Sequence, residues 1–140
     1  MKLCMVGTGY VGLASGVCFA DLGNDVICVD KDITKINKLK KSIIPIYEPG
    51  LDELVKKNYK AGRLTFSTNL AQSVKKSNIV FICVGTPTKR KKYEADLSHV
   101  YASAREISKN INSFKIIINK STVPVMTGDK IEKIISKKVK

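Results

Sequence analysis

Residues 7–12 read Gly-Thr-Gly-Tyr-Val-Gly, and their surroundings restrict the fold more than any other stretch of the chain. An apolar run over residues 2–6 leads into the first glycine. Small and apolar residues at helical spacing follow the last: Val11, Ala14, Ser15, Cys18, Phe19 and Leu22. A strand that meets a helix through three glycines can turn tightly at Gly7, carry no side chain at Gly9 and pack helix closely on strand at Gly12. The free N–H groups and the positive end of that helix then face an anion, and a pyrophosphate has the charge and shape to sit there. Asp30 falls 18 residues after Gly12, at the end of a second β-rich run, Val26-Ile27-Cys28-Val29. A carboxylate at that place accepts hydrogen bonds from both ribose hydroxyls and repels a 2′-phosphate, so the sequence points to NAD over NADP. Lys31 and Lys35 lie close by and temper that preference, because either can attract a phosphate.

The rest of the chain repeats the alternation. Gly23-Asn24 stops the first helix, and Ile33, Ile36, Leu39 and Lys40 mark a second. Residues 41–50, with Pro45, Pro49 and Gly50, form a loop before a short helix that starts at Leu51 and stops near Gly62. Leu64-Thr65-Phe66 reads as a strand, Asn69 to Ser77 as a helix, and 79–84 as the most hydrophobic strand. After a polar, basic loop over 85–96, Leu97, Val100, Tyr101, Ala104, Ile107 and Ile111 form a helical stripe. Residues 115–119 read as a strand and 121–127 as a loop with Pro124; Ile131, Ile134 and Ile135 begin a last helix expected to run to the chain end. Such alternation predicts an α/β fold, a Rossmann-like doubly wound parallel sheet with strand order 3-2-1-4-5 that ends in a helix, all within one domain over 1–140. The carboxyl ends of parallel strands lie together. The loops Val84-Gly85-Thr86-Pro87 and Lys120-Ser121-Thr122-Val123-Pro124 should therefore flank the glycine loop. Gly85, Thr86, Ser121 and Thr122 would offer backbone N–H groups and hydroxyls to the nicotinamide side of a dinucleotide.

Composition removes several other classes. The chain has 140 residues, 44% hydrophobic and 26% charged, which suits a folded domain and not a disordered one. No apolar run reaches the roughly 18 residues of a membrane span, and glycine comes too early for a signal-peptide core. The formal charge of +13 comes from 25 basic and 12 acidic side chains. The excess is concentrated in residues 71–140. Lysine far outnumbers arginine, which favours a solvated face or contacts to phosphate-bearing small molecules over specific nucleic-acid reading. The basic run Lys89-Arg90-Lys91-Lys92 is read in the same way. Four cysteines, Cys4, Cys18, Cys28 and Cys83, form no C-x-x-C pair, and there is one His, so no metal site is expected. The cysteines read as small buried hydrophobes in a reducing, cytoplasmic compartment.

Five stretches together resemble one family. They are Gly7-Thr8-Gly9-Tyr10-Val11-Gly12-Leu13, Ile44-Pro45-Ile46-Tyr47-Glu48-Pro49-Gly50-Leu51, Gly62-Arg63-Leu64, Val84-Gly85-Thr86-Pro87 and Lys120-Ser121-Thr122-Val123-Pro124-Val125. In register and over essentially the whole chain, they are similar to the N-terminal NAD-binding domain of the UDP-glucose/GDP-mannose dehydrogenase family, with the UDP-glucose branch nearest. The resemblance implies oxidation of a sugar-nucleotide C6 alcohol to a carboxylate, UDP-glucose to UDP-glucuronate, with two NAD and one water. It implies NAD contacts from Val11, Asp30, Lys35 and Thr86, and a supporting catalytic role for Thr122 beside the reacting water. Gly7, Gly9, Tyr10, Gly12, Gly85 and Ser121 complete the expected cofactor site. Glu48 and Pro49 are expected to cap or pack. The family's nucleophilic Cys, catalytic Lys and Asp, a Glu, and most of the UDP-sugar pocket lie later in the chain than Lys140. Residues 1–140 alone are therefore expected to bind NAD without turnover, and the full-length architecture to be a homodimer or higher. A free-standing or split-gene NAD-binding module, and the GDP-mannose or UDP-N-acetylmannosamine branch, stay open as alternatives. Met126 stands where the family generally has Gly, which is expected to shift the backbone beside Thr122.

Overall fold

The computed structural model describes residues 1–89 and 93–138. Its first strand, β1 (Lys2–Val6), runs through the glycine loop into α1 (Tyr10–Asp21), and β2 (Asp25–Val29) returns the chain to the sheet. Then come α2 (Ile33–Lys40), α3 (Leu51–Lys60), β3 (Leu64–Ser67), α4 (Leu70–Lys76) and β4 (Ile79–Ile82). The chain closes with α5 (Ser98–Asn110), β5 (Ile116–Asn119) and α6 (Thr127–Ser136). The five strands are all parallel, in the order β3-β2-β1-β4-β5. That is the expected fold.

Side-chain alternation along β1 divides the core between the two faces of the sheet. Leu3 and Met5 pack with Leu13 and Val17 of α1, Ile36 of α2 and Val55 of α3. Cys4 and Val6 pack on the other face with Val74 of α4, Val100 and Ile107 of α5 and Ile131 of α6. Asp32 starts α2 by accepting from the backbone N–H groups of Thr34 and Lys35, and Asn69 starts α4 by accepting from Gln72. Each satisfies donors that the first turn of a helix leaves unpaired.

Three expectations need correction. The hydrophobic run 79–84 forms a strand only to Ile82, although the Cys83 N–H still donates to the Val6 carbonyl at 2.8 Å. The last helix begins at Thr127, where the Thr127 hydroxyl donates back to the Pro124 carbonyl, and it ends at Ser136 short of the chain end. Cys18 is exposed, because the buried side of α1 is made by Gly12, Leu13, Gly16, Val17 and Ala20. Met126 takes φ 69°, ψ 0°, the left-handed conformation that favours glycine, so a side chain is held in a glycine-like backbone. The basic run at 89–92 lies outside the described residues except for Lys89, which pairs with Glu94 at 3.5 Å.

Candidate functional site

The glycine loop turns where β1 ends. Gly7 has φ 105°, and its N–H donates to the Val29 carbonyl at 2.7 Å. A Cβ on Gly7 would stand 2.7 Å from the Cys83 carbonyl oxygen. A Cβ on Gly12 would stand 2.0 Å from the Gly7 carbonyl oxygen, so α1 can leave the sheet only with glycine there. Gly9 differs. Its φ is −72°, and an added Cβ meets nothing within 4 Å. The absent side chain at Gly9 therefore serves the space outside the protein and not its packing. No side chain caps α1 at Gly9, which leaves the first-turn N–H groups for an anion.

Asp30 stands beside this loop at the end of β2. Its Oδ2 accepts from the Thr8 N–H at 3.0 Å, the Thr8 hydroxyl at 2.7 Å and Lys35 Nζ at 3.0 Å, and its Oδ1 from the Asp32 N–H at 3.1 Å. Burial opposes the charge more than any other single influence. The hydrogen bonds from Asp32, Thr8 and Lys35 together outweigh it and hold the carboxyl down at about 2. Oδ2 is thus crowded with donors, and Oδ1 keeps room for a further one. Thr8, completely buried, was not foreseen as a site residue. The middle position of Gly-Thr-Gly gave a local hint only in that a hydroxyl there can reach the end of the next strand.

Gly7, Gly9, Asp30, Lys35 and Gly85 line one cleft of about 620 Å³ at the carboxyl edge of the sheet. The other expected residues stand around it differently. The Tyr10 hydroxyl donates to the Glu48 carboxylate, so that ring is turned to the 41–50 loop, and the bond raises the Tyr10 pKa. Val11 is exposed at the start of α1 and Gly12 is packed beneath it. The Thr86 hydroxyl donates to the Thr122 carbonyl at 2.9 Å, and the Ser121 hydroxyl donates to the Val84 carbonyl at 2.7 Å. These two protons tie the β4 and β5 loops together. The hydroxyls remain free only to accept, and Thr122 keeps an exposed side chain. Sequence reasoning missed the far wall of the cleft, formed by His99, Ala102, Ser103 and Glu106 of α5 with Leu70 at the start of α4. A larger cleft, about 850 Å³, opens between β5 and α6 and contains none of the motif residues, so size does not identify the site.

Cys83 also borders the cleft, and its thiol is unsuited to attack: burial raises its pKa to about 11 despite the opposing charge of Lys120. Burial raises Cys4 to about 12 and lifts Cys28 further. Among the described residues, no group of three or more His, Cys, Asp or Glu is placed to hold a metal ion, and no helix is long and apolar enough to cross a membrane.

The glycine-edged cleft, the uncapped helix and the depressed carboxyl at the end of the second strand define a dinucleotide-binding domain of the doubly wound class. The profile of the UDP-glucose/GDP-mannose dehydrogenase family, NAD binding domain, matches residues 1–140, and the chain belongs to that family. It is 59% identical over 135 residues to a UDP-glucose 6-dehydrogenase of Rhizobium meliloti (strain 1021), covering 96% of this chain and 31% of that protein. The UDP-glucose 6-dehydrogenase TuaD of Bacillus subtilis (strain 168) is 51% identical over 97% of this chain and 29% of its own length. A solved GDP-mannose dehydrogenase from Pseudomonas aeruginosa superposes with a TM-score of 0.91 at 33% identity, covering 98% of this chain and 32% of that one. The chain thus spans about a third of the length of these relatives. Its cofactor is NAD, and the open space over Gly9 and the spare acceptor on Asp30 fit that group.

Proposed function

We propose that this chain is the cofactor-holding part of a UDP-glucose 6-dehydrogenase that oxidises UDP-glucose to UDP-glucuronate. The observation that carries the reading is 59% identity over 96% of the chain to a UDP-glucose 6-dehydrogenase. Turning a CH₂OH into a carboxylate removes two hydrides and adds one oxygen from water, and NAD supplies the hydride acceptor, once for each step. The residues of this chain bind and orient. The first-turn N–H groups of α1 hold the pyrophosphate over Gly9, and Asp30 accepts from the ribose, with Lys35 steadying the carboxylate. Gly85, Thr86, Ser121 and Thr122 border the nicotinamide end. Thr122, with its exposed hydroxyl, is the supporting residue nearest the reacting carbon.

Residues 1–140 are further proposed to bind NAD without turnover. Three of the four thiols are buried with raised pKa values, and Cys18 lies on α1 outside the cleft lining. The free thiols also accord with a reducing, cytoplasmic setting. Calorimetry with NAD and NADP tests the binding, and NADH absorbance in the presence of UDP-glucose tests turnover. NAD is expected to bind more tightly and absorbance to stay at baseline. Equal or tighter NADP binding overturns the role of Asp30, and NADH formation by residues 1–140 overturns the division of labour. For the longer protein, faster oxidation of GDP-mannose or UDP-N-acetylmannosamine than of UDP-glucose would refute the substrate.

A further inference from the structure

Thr8 stands between two glycines of the loop, yet its side chain is completely buried. Burying a hydroxyl without a partner is costly, and the partner of this one is Asp30 Oδ2, to which it donates at 2.7 Å. The Thr8 N–H donates to the same oxygen at 3.0 Å, so one residue grips the carboxylate with its backbone and its side chain together. Lys35 Nζ also reaches Oδ2, at 3.0 Å, but its side chain is 30% exposed, and water and salt compete for it. The Thr8 hydroxyl is closed to that competition. Two donors from Thr8 and one from Lys35 occupy Oδ2. Among the described residues, Oδ1 accepts from the Asp32 N–H alone, at 3.1 Å. The carboxylate thus has one oxygen held by the protein and one with room for a ligand, and its plane is set from the inside. The turn itself does not call for a hydroxyl: Gly7 supplies the positive φ, and Gly12 lets α1 approach the sheet.

We propose that Thr8 is a positioning residue for cofactor choice: its buried hydroxyl holds the Asp30 carboxylate in the orientation that leaves Oδ1 for a ribose hydroxyl, and so sets how strongly NAD is preferred over NADP. The inference rests on NAD occupying this cleft with a ribose at Asp30. A free 2′-hydroxyl donates to the carboxylate and gains from an acceptor that is fixed before binding. A 2′-phosphate dianion has no proton to give and gains nothing from the same order. The pyrophosphate is common to both dinucleotides. Damage to the glycine loop therefore weakens both, whereas loss of positioning at Asp30 weakens NAD alone.

Calorimetry with NAD and NADP at mildly alkaline pH tests this on the wild-type chain, Thr8→Val and Thr8→Ser, and on Asp30→Ala with and without Thr8→Val. Thr8→Val keeps the size and the N–H and removes the hydroxyl. NAD should weaken about fivefold, the net worth of one hydrogen bond, with NADP unchanged. Thr8→Ser restores the hydroxyl and should bring NAD back to within about twofold of the wild type. In the Asp30→Ala background Thr8→Val should change NAD affinity by less than about twofold, because a residue that acts through Asp30 has nothing left to act on. Should Thr8→Val lower the melting temperature, the two dinucleotides compared on that one protein still decide, since a damaged loop weakens both. Wild-type NAD affinity in Thr8→Val, an equal loss for NAD and NADP, a serine that fails to rescue, or the full loss repeated in the Asp30→Ala background each overturns the proposal while leaving the cleft as the NAD site. Failure of the wild type to bind NAD overturns the NAD reading itself, and this inference with it.

Discussion

Asp30→Asn separates the charge of the site from its shape. The carboxylate accepts four hydrogen bonds: from the Thr8 N–H and hydroxyl, Lys35 and the Asp32 N–H. An amide of the same size has one oxygen. With that oxygen toward Thr8, its NH₂ group faces the Asp32 N–H, donor against donor. Turned over, it faces Thr8 and Lys35 instead. Holding the carboxyl at about 2 in place of its ordinary 3.8 corresponds to ~2 kcal/mol of native-state stabilisation by linkage. The Lys35 partner is 30% exposed, so solvent screening reduces the expected loss to ~1–2 kcal/mol at neutral pH. The sign of the pH dependence follows from the lowered pKa. The contribution is complete above the unfolded carboxyl's pKa near 4, and it is lost as pH falls through about 2. Urea denaturation of the two proteins at pH 7, 4.5, 3.5 and 2.5 therefore should show a stability gap that is full at the first value and has shrunk to about a third at the last. A gap independent of pH would refute the argument, because the variant would then act through packing alone. In the same variant NAD affinity should fall about tenfold, from the loss of a charged acceptor for the ribose.

The glycine loop permits a contrast between two positions. Gly9→Val should abolish NAD binding and leave the far-UV circular dichroism native, since a Cβ there touches nothing within 4 Å; retained affinity would place the cofactor elsewhere. Gly12→Ala should instead cost about 3 kcal/mol of stability, because its Cβ would stand 2.0 Å from the Gly7 carbonyl oxygen, and a wild-type denaturation midpoint would contradict the packing described for α1. Met126→Gly should stabilise the domain by ~0.5–1 kcal/mol, the left-handed penalty relieved less the extra unfolded freedom of glycine, and a lowered melting temperature would refute that balance. A thiol reagent should modify Cys18 rapidly in the native protein and the remaining three cysteines only on unfolding; two or more fast thiols would disprove the burial assigned to Cys4, Cys28 and Cys83.

The fold and half of the site were readable from local pattern for one physical reason. A parallel strand buried on both faces is a continuous apolar run, and the three glycines and Asp30 occupy places where only their chemistry fits. A Cβ at Gly7 or Gly12 would stand 2.7 or 2.0 Å from a neighbouring backbone oxygen, and such demands mark a short stretch of sequence wherever it occurs. The α5 wall is different. Its buried stripe, Val100, Ala104 and Ile107, stood out by periodicity, whereas His99, Ala102, Ser103 and Glu106 look like any solvated helical face until the sheet sets them across from Asp30. The same limit misplaced Cys18: a period of 3.6 tolerates a neighbouring stripe, and only packing on Met5 and Cys28 shows that Gly16 takes the buried place, where an added Cβ would stand 2.7 Å from the Cys28 sulfur. Hydroxyl groups were the least legible. Thr86 and Ser121 were expected to offer donors to a cofactor, yet their protons join the β4 and β5 loops to each other at 2.9 and 2.7 Å. That use fits a sheet edge which must keep two loops in register beside a ligand. It also accounts for the backbone at Met126: with Ser121 tied to Val84, Thr86 to Thr122 and the Thr127 hydroxyl to Pro124, the connection into α6 is held from both sides. The strain of one side chain in a left-handed backbone at φ 69° falls at Met126 itself.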